Sequence, residues 1–417
     1  MQKTIAAIGL AAVIAGVGAK AANDRDDDKD SVPRLGHVFV VMMENHGYGQ
    51  IVNNPNAPFA NAYAKTANLA TRYFAVAHPS LTNYLEVVGG SNFGVLSDNN
   101  PDWLNPACST NLSTGVPNTD EPPIAPNPNV CPITGAGMDA ATPRFDTTNE
   151  AVASGVPALT NIDGVFPAIP AAPTIGRTIA DQLVEHGKTW KSYQESLPPI
   201  GANGVNFSDG FYTDPALPPM ADHTATLVKL YAAKHNPFVY FKSVQDGLDP
   251  RNSLHNVVGF EGAHGLFDDL ISGRVPDFSF IAPNQCTDQH GRANAGPACD
   301  FDPVTDGSQA GLNPALIYIG DLTLRTLVRA IHASPAWQQG RNAIVVLWDE
   351  NDYSATPNTN QVLLIVDTNY GKHRVESNKF YTHFSLLKTL EAALGVPCLN
   401  HACDRVFNAM GDLFDDK

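Results

Sequence analysis

Two short apolar runs, VFVVMM over Val38–Met43 and AIVVLW over Ala343–Trp348, each end in a polar pair, Glu44-Asn45 and Asp349-Glu350. An unbroken apolar run of this length suits a strand buried on both faces, as in a parallel sheet covered by helices. In open sheets of that kind the ligand crevice lies outside the carboxyl ends of the strands, so both pairs fall at one edge. A carboxylate beside buried apolar residues costs free energy unless it is paired or bound to a cation. A helix cap or an arginine partner explains either pair taken alone; the two together predict a metal site. The donors are all oxygens, which suits Mg²⁺, Mn²⁺ or Ca²⁺, with Zn²⁺ also allowed.

Similar apolar runs occur at Phe238–Phe241, Phe278–Ala282 and Val362–Val366. Between the runs lie helical patterns. Thr174–Gly187 places Ile175, Ile179, Leu183 and Val184 on one face, Leu322–Ser334 repeats Leu324, Leu327, Val328 and Ile331, and Thr382–Gly395 repeats Phe384, Leu387 and Leu394. Strands alternating with helices predict an α/β fold with a mainly parallel central sheet flanked by helices. Residues 98–173 are rich in Pro, Asn, Gly and Ser without periodicity, and read as an insertion in a single domain spanning residues 37–417.

The chain of 417 residues opens with Lys3, then an apolar stretch of small residues, then Ala19-Lys20-Ala21. That pattern predicts a signal peptide over residues 1–21 and a secreted or periplasmic protein; residues 22–36, with their run of charge, read as a disordered leader. No other stretch is apolar and long enough to span a membrane. Six cysteines in an exported chain predict disulfides, and proximity favours Cys108–Cys131, Cys286–Cys299 and Cys398–Cys403. The net charge of −16 argues against a nucleic-acid partner, which needs clustered Lys and Arg.

Leu81, Tyr84, Leu85 and Val88 recur at helical spacing before Gly89-Gly90, which sets Ser80 at a helix N-terminus. There the free N–H groups and the helix dipole favour an anion, although a serine in that place is by default an N-cap. Asn83 stands one turn on. Asp288 and His290 follow a strand in an irregular loop beside Cys286, a suitable wall for a site in which a histidine touches phosphate or gives up a proton. His383 opens the last helix. The spacing Gly90-Ser91 to Gly94 misses a nucleophile elbow by one residue, and neither a P-loop nor H-E-x-x-H is present.

Taken together, VVMMENHGYGQI, AVAHPSLTNYLEVVGGS, PDFSFIAPNQCTDQH, AIVVLWDEND and YTHFSLLKTLEAALG resemble the secreted phosphoesterase family of acid phosphatases and non-specific phospholipases C. The resemblance, scattered over residues 37–396, implies an alkaline-phosphatase-like fold and one divalent metal ion. It implies metal ligands at Glu44, Asn45, Asp349 and Glu350, a nucleophile at Ser80, and phosphate contacts from Asn83 and His383, to which the residue reading adds Asp288 in the site wall. His290 takes the place of a pocket histidine able to protonate a leaving group. Gly47 and Thr82 depart from the family pattern, which touches pocket shape more than chemistry. The short spacing from Glu44 to Ser80 and the H-P-S-x-x-N-Y block look like the acid-phosphatase branch, so a small phosphate monoester is the expected substrate. A phospholipase C-type diesterase and a non-catalytic phospho-ligand binder are the alternatives.

Overall fold

The computed structural model describes residues 32–105, 108, 129–140, 172–198, 212–213, 227–228, 230–292, 295–300, 312–352 and 359–415. The expected signal peptide lies outside them, as do most of the leader and most of the insertion. Among the described residues a nine-stranded sheet forms the centre. Its strands are β1 (His37–Met43), β2 (Asn68–Phe74), β3 (Trp190–Gln194), β4 (Val257–Gly259), β5 (Phe278–Ala282), β6 (Asn342–Trp348), β7 (Gln361–Thr368), β8 (Glu376–Ser377) and β9 (Tyr381–Thr382). The order across the sheet is β8-β2-β7-β6-β1-β5-β3-β4, with β9 also on β2. β1 pairs in parallel with both β6 and β5, while β7 runs antiparallel to both its neighbours. The sheet is mixed and mostly parallel, and the fold is α/β.

The named helices are α1 (Pro58–Thr66), α2 (Ser80–Gly89), α3 (Ile179–Glu185), α4 (Leu266–Ser272), α5 (Pro314–Ala333) and α6 (His383–Leu394). Val38–Met43 and Asn342–Trp348 are buried throughout, as strands covered on both faces must be. α2 is buried along its whole length, polar residues included, so each of those polar groups needs a partner inside the protein. It ends at Gly90, whose φ of 70° and whose contact with Leu399 leave no room for a side chain: an added Cβ would meet the Leu399 carbonyl at 2.7 Å.

Four expectations shift. The run Phe238–Phe241 is not a strand: Pro237–Tyr240 forms a buried 3₁₀ turn, in which Phe238 packs on Trp190 with ring centroids 4.6 Å apart. A short apolar run does not by itself separate a strand from a buried turn, and Pro237 opens the turn here. The helix expected at Leu322 begins at Pro314, capped by the Asn313 side chain on the Ala315 amide. The one expected from Thr174 begins only at Ile179, because Thr178 and Asp181 form a capping box and Pro173–Ile175 pairs as a strand. At the amino end Leu35 is buried and its amide donates to Ala393 of α6, so ordered packing begins inside the stretch read as leader. All three disulfides pair sequence neighbours as expected.

Candidate active site

β1 and β6 are neighbours in register, Met43 beside Trp348, so the residues that follow leave the sheet together. The Asp349 amide donates to Met43 O and the Glu44 amide to Asp288 O. Two strand ends and the loop after β5 thereby converge, carrying Glu44, Asp349, Glu350 and Asp288, all buried. Asn45 turns the chain with φ of 53°, and its amide donates to Asp349 Oδ1 at 3.0 Å.

Ser80, first residue of α2, points into this cluster. Its hydroxyl lies 3.1 Å from Glu44 Oε2 and 3.1 Å from Glu350 Oε1. Asn83, one turn along, spends its whole carboxamide on the protein. Oδ1 accepts the Val76 and Ala77 amides, and Nδ2 donates to Ala77 O and to Glu350 Oε2. It secures the irregular segment leading into α2 and orients Glu350. His383 is spent in the same way: Tyr73 Oη–H faces Nδ1 at 2.7 Å, and Nε2 lies 2.7 Å from the Asp349 carbonyl. Burial holds its pKa down, to about 4, so the ring is a neutral prop behind Asp349. As placed, neither residue has a polar atom left for a phosphate oxygen.

The Glu44 side of the cluster holds residues that no sequence pattern indicated. The 3₁₀ turn Ala233–His235 delivers His235, stacked on Tyr84 with ring centroids 5.3 Å apart. His235 Nε2 lies 3.1 Å from Glu44 Oε1, and Nδ1 lies 3.1 Å from Asp288 Oδ2. Asp288 Oδ1 accepts the His290 amide. His290 Nδ1 sits 2.7 Å from Gly291 O, and Nε2 sits 3.0 Å from Lys234 Nζ. An ammonium only donates, so Nε2 accepts and the ring proton resides on Nδ1. His78, just before Pro79, stands with Nε2 3.1 Å from Asn351 O.

The electrostatics fit a cation. Burial first, and then the neighbouring acids Asp349 and Asp288, push Glu44 well above the ordinary carboxylate range; burial likewise raises Asp288 and Asp349. Glu44 Oε1 and Asp288 Oδ2 are buried with only the His235 ring nitrogens, 3.1 Å away, beside them, and Asp349 Oδ2 is buried without a hydrogen bond. Buried carboxylate oxygens so thinly paired are what a bound cation satisfies. Donor atoms of Glu44, His235 and His290 lie within 4.8 Å of one another, but both His290 ring nitrogens are already engaged by Gly291 and Lys234. His235 can therefore add nitrogen to an otherwise oxygen donor set, which widens the choice toward Zn²⁺ and Mn²⁺ beyond the all-oxygen expectation. Among the described residues no helix is long and apolar enough to cross a membrane.

The chain is 24% identical over 376 residues to the phosphatidylinositol-3-phosphatase of Mycobacterium tuberculosis, covering 89% of this chain and 81% of that one. It is 23% identical to an acid phosphatase of Aspergillus fumigatus and 23% to the phosphate-repressible acid phosphatase of Penicillium chrysogenum, covering 87% and 81% of this chain. It spans only 55% and 54% of those two fungal proteins. A solved structure from Vibrio parahaemolyticus described as in the alkaline phosphatase superfamily aligns with a TM-score of 0.45 at 13% identity, over 90% of this chain and 72% of that one. The Phosphoesterase family model matches residues 51–300, which include Ser80, Asn83, His235, Asp288 and His290. The chain belongs to the Phosphoesterase family and is a hydrolase of phosphoric ester bonds.

Proposed function

We propose that the protein is an exported, metal-dependent phosphatase that hydrolyses small phosphate monoesters through a phosphoserine at Ser80. The observation that carries this reading is the Ser80 hydroxyl at hydrogen-bond distance from carboxylates of two different strand ends. Glu350 or Glu44 takes the hydroxyl proton as Oγ attacks phosphorus, the bond to the leaving oxygen breaks, and that oxygen takes a proton from solvent. Water then attacks the phosphoserine, releases phosphate and restores the hydroxyl. A divalent cation held by Glu44, Asn45, Asp349 and Glu350 would supply positive charge that eases loss of the hydroxyl proton and offsets charge on the phosphoryl oxygens. Asn83 and His383 act as positioning residues, holding Glu350 and Asp349. His290, an acceptor at Nε2, anchors Lys234 instead of donating a proton.

The relatives' names are those of phosphatases, which favours the monoester. Three disulfides and the apolar start of the chain support export. The test is hydrolysis of p-nitrophenyl phosphate by the wild type and Ser80→Ala, each with and without chelator, with acid-quench mass spectrometry for phosphoserine. Chelator-sensitive turnover with a phosphorylated Ser80 peptide supports the reading. Full turnover by Ser80→Ala removes the covalent route.

A further inference from the structure

Lys234 brings a buried positive charge to the carboxylate cluster. It directly precedes His235, and Nζ donates to Asp98 Oδ2 at 2.6 Å and to His290 Nε2 at 3.0 Å. Asp98 Oδ1 accepts the amide of Leu81 at 3.0 Å, the residue after Ser80. A hydrogen-bonded path therefore runs from the first turn of the nucleophile helix through Asp98 to Lys234 and on to His290. The ammonium also acts on the acids: burial and neighbouring carboxylates raise Glu44, and Lys234 opposes that rise, as it does at Asp288.

A lysine that merely neutralised Asp98 would suit any surface crevice. This one lies in a cluster where four carboxylates outweigh a single divalent cation, so each further negative charge brought by substrate must be met by something fixed. A phosphate monoester brings two charges when fully ionised, and a diester brings one. We propose that Lys234 is a specificity-determining residue whose ammonium, held by Asp98 at the start of the nucleophile helix, favours the monoester dianion over the diester monoanion. This rests on the monoester reading above.

The test compares kcat/KM for p-nitrophenyl phosphate and methyl p-nitrophenyl phosphate, which share a leaving group, using the metal-loaded full-length protein. In Lys234→Met the monoester rate should fall about tenfold or more beyond any fall in the diester rate, the scale of one partly screened charge. Lys234→Arg keeps the charge and should keep the wild-type ratio to within about threefold. Asp98→Asn keeps an acceptor for the Leu81 amide, removes a negative charge, and should move the ratio toward the monoester even if Lys234→Met does not fold. Equal loss on both substrates in Lys234→Met, or a shift toward the diester in Asp98→Asn, overturns the assignment. A wild type that turns over the diester alone overturns the monoester reading instead.

Discussion

Asn83 Nδ2 and Glu350 Oε2 lie 3.0 Å apart, joining the helix that opens with Ser80 to the end of a strand 267 residues further along the chain. The same carboxamide closes three bonds to the backbone before the helix, so its loss leaves several buried groups unpaired at once. Asn83→Leu should cost about 2–4 kcal/mol of stability, from roughly 1–3 kcal/mol for each buried group left unsatisfied and partial relaxation. Denaturant unfolding checks this. Asn83→Asp, with a carboxylate facing Glu350, should lose turnover as well; wild-type kinetics in either variant would show that the bond to Glu350 is dispensable.

Ser80→Ala removes one oxygen from between two carboxylates and touches little else. Turnover of p-nitrophenyl phosphate should drop by about 10³-fold or more, on the scale of losing a covalent nucleophile, while thermal stability stays close to wild type. A large loss of stability would mean that the hydroxyl chiefly bridges Glu44 and Glu350.

Cation removal should be visible without any substrate. A ligand that binds only the folded state adds about 2.7 kcal/mol at a hundred times its Kd, so chelation should lower Tm by several degrees and Mn²⁺ or Zn²⁺ should restore it. Glu44→Gln should blunt the metal-induced rise. A melting curve indifferent to chelator and to added divalent ions would show that the buried carboxylates are satisfied by protons.

His401 gives a pH dependence remote from the site. Burial alone would lower its pKa, but hydrogen bonds and charge from Asp139 and Asp404, 2.5 and 2.7 Å from the ring nitrogens, outweigh burial and raise it. A raised histidine stabilises the fold fully below its unfolded value of about 6.5, and that contribution fades as pH climbs through the folded value. The Tm difference between wild type and His401→Gln should therefore be largest in mild acid and shrink above about pH 6.5. A difference that grows with pH reverses the assignment.

The disulfides should separate by position. Cys286–Cys299 closes the loop carrying Asp288 and His290, whereas Cys398–Cys403 closes a five-residue separation after α6. Replacing the first pair with alanines should cost roughly 2–4 kcal/mol and lower kcat. Replacing the second should leave kcat near wild type. Equal kinetic effects would mean that the first loop holds its shape unaided.

What could be read from the chain followed from patterns with a strong local cause. Val38–Met43 and Ala343–Trp348 announce buried strands, and the polar residues at their ends can only sit at the sheet edge. Ser80 was placed by the apolar spacing that follows it and by Gly90. His235 and Lys234 escaped because they lie in a short 3₁₀ turn with no periodicity, beside an apolar run that imitates a strand. The exhausted hydrogen-bonding capacity of Asn83 and His383 was equally hidden, since spacing along a chain says where a side chain starts and not which partners claim its atoms. The helix N-terminus was foreseen as an anion site; that Asp98 occupies its Leu81 amide is tertiary information.

Because Glu44 and Asp349 leave two strands locked side by side, the hydrogen-bond ladder of the sheet sets their spacing more firmly than side-chain rotamers can. The sheet works as a ruler. Loops around it are free to lengthen, shorten or change composition, altering what is admitted, while the distance between these two carboxylates stays constant. Such a scaffold can change diet over evolutionary time without relearning its chemistry.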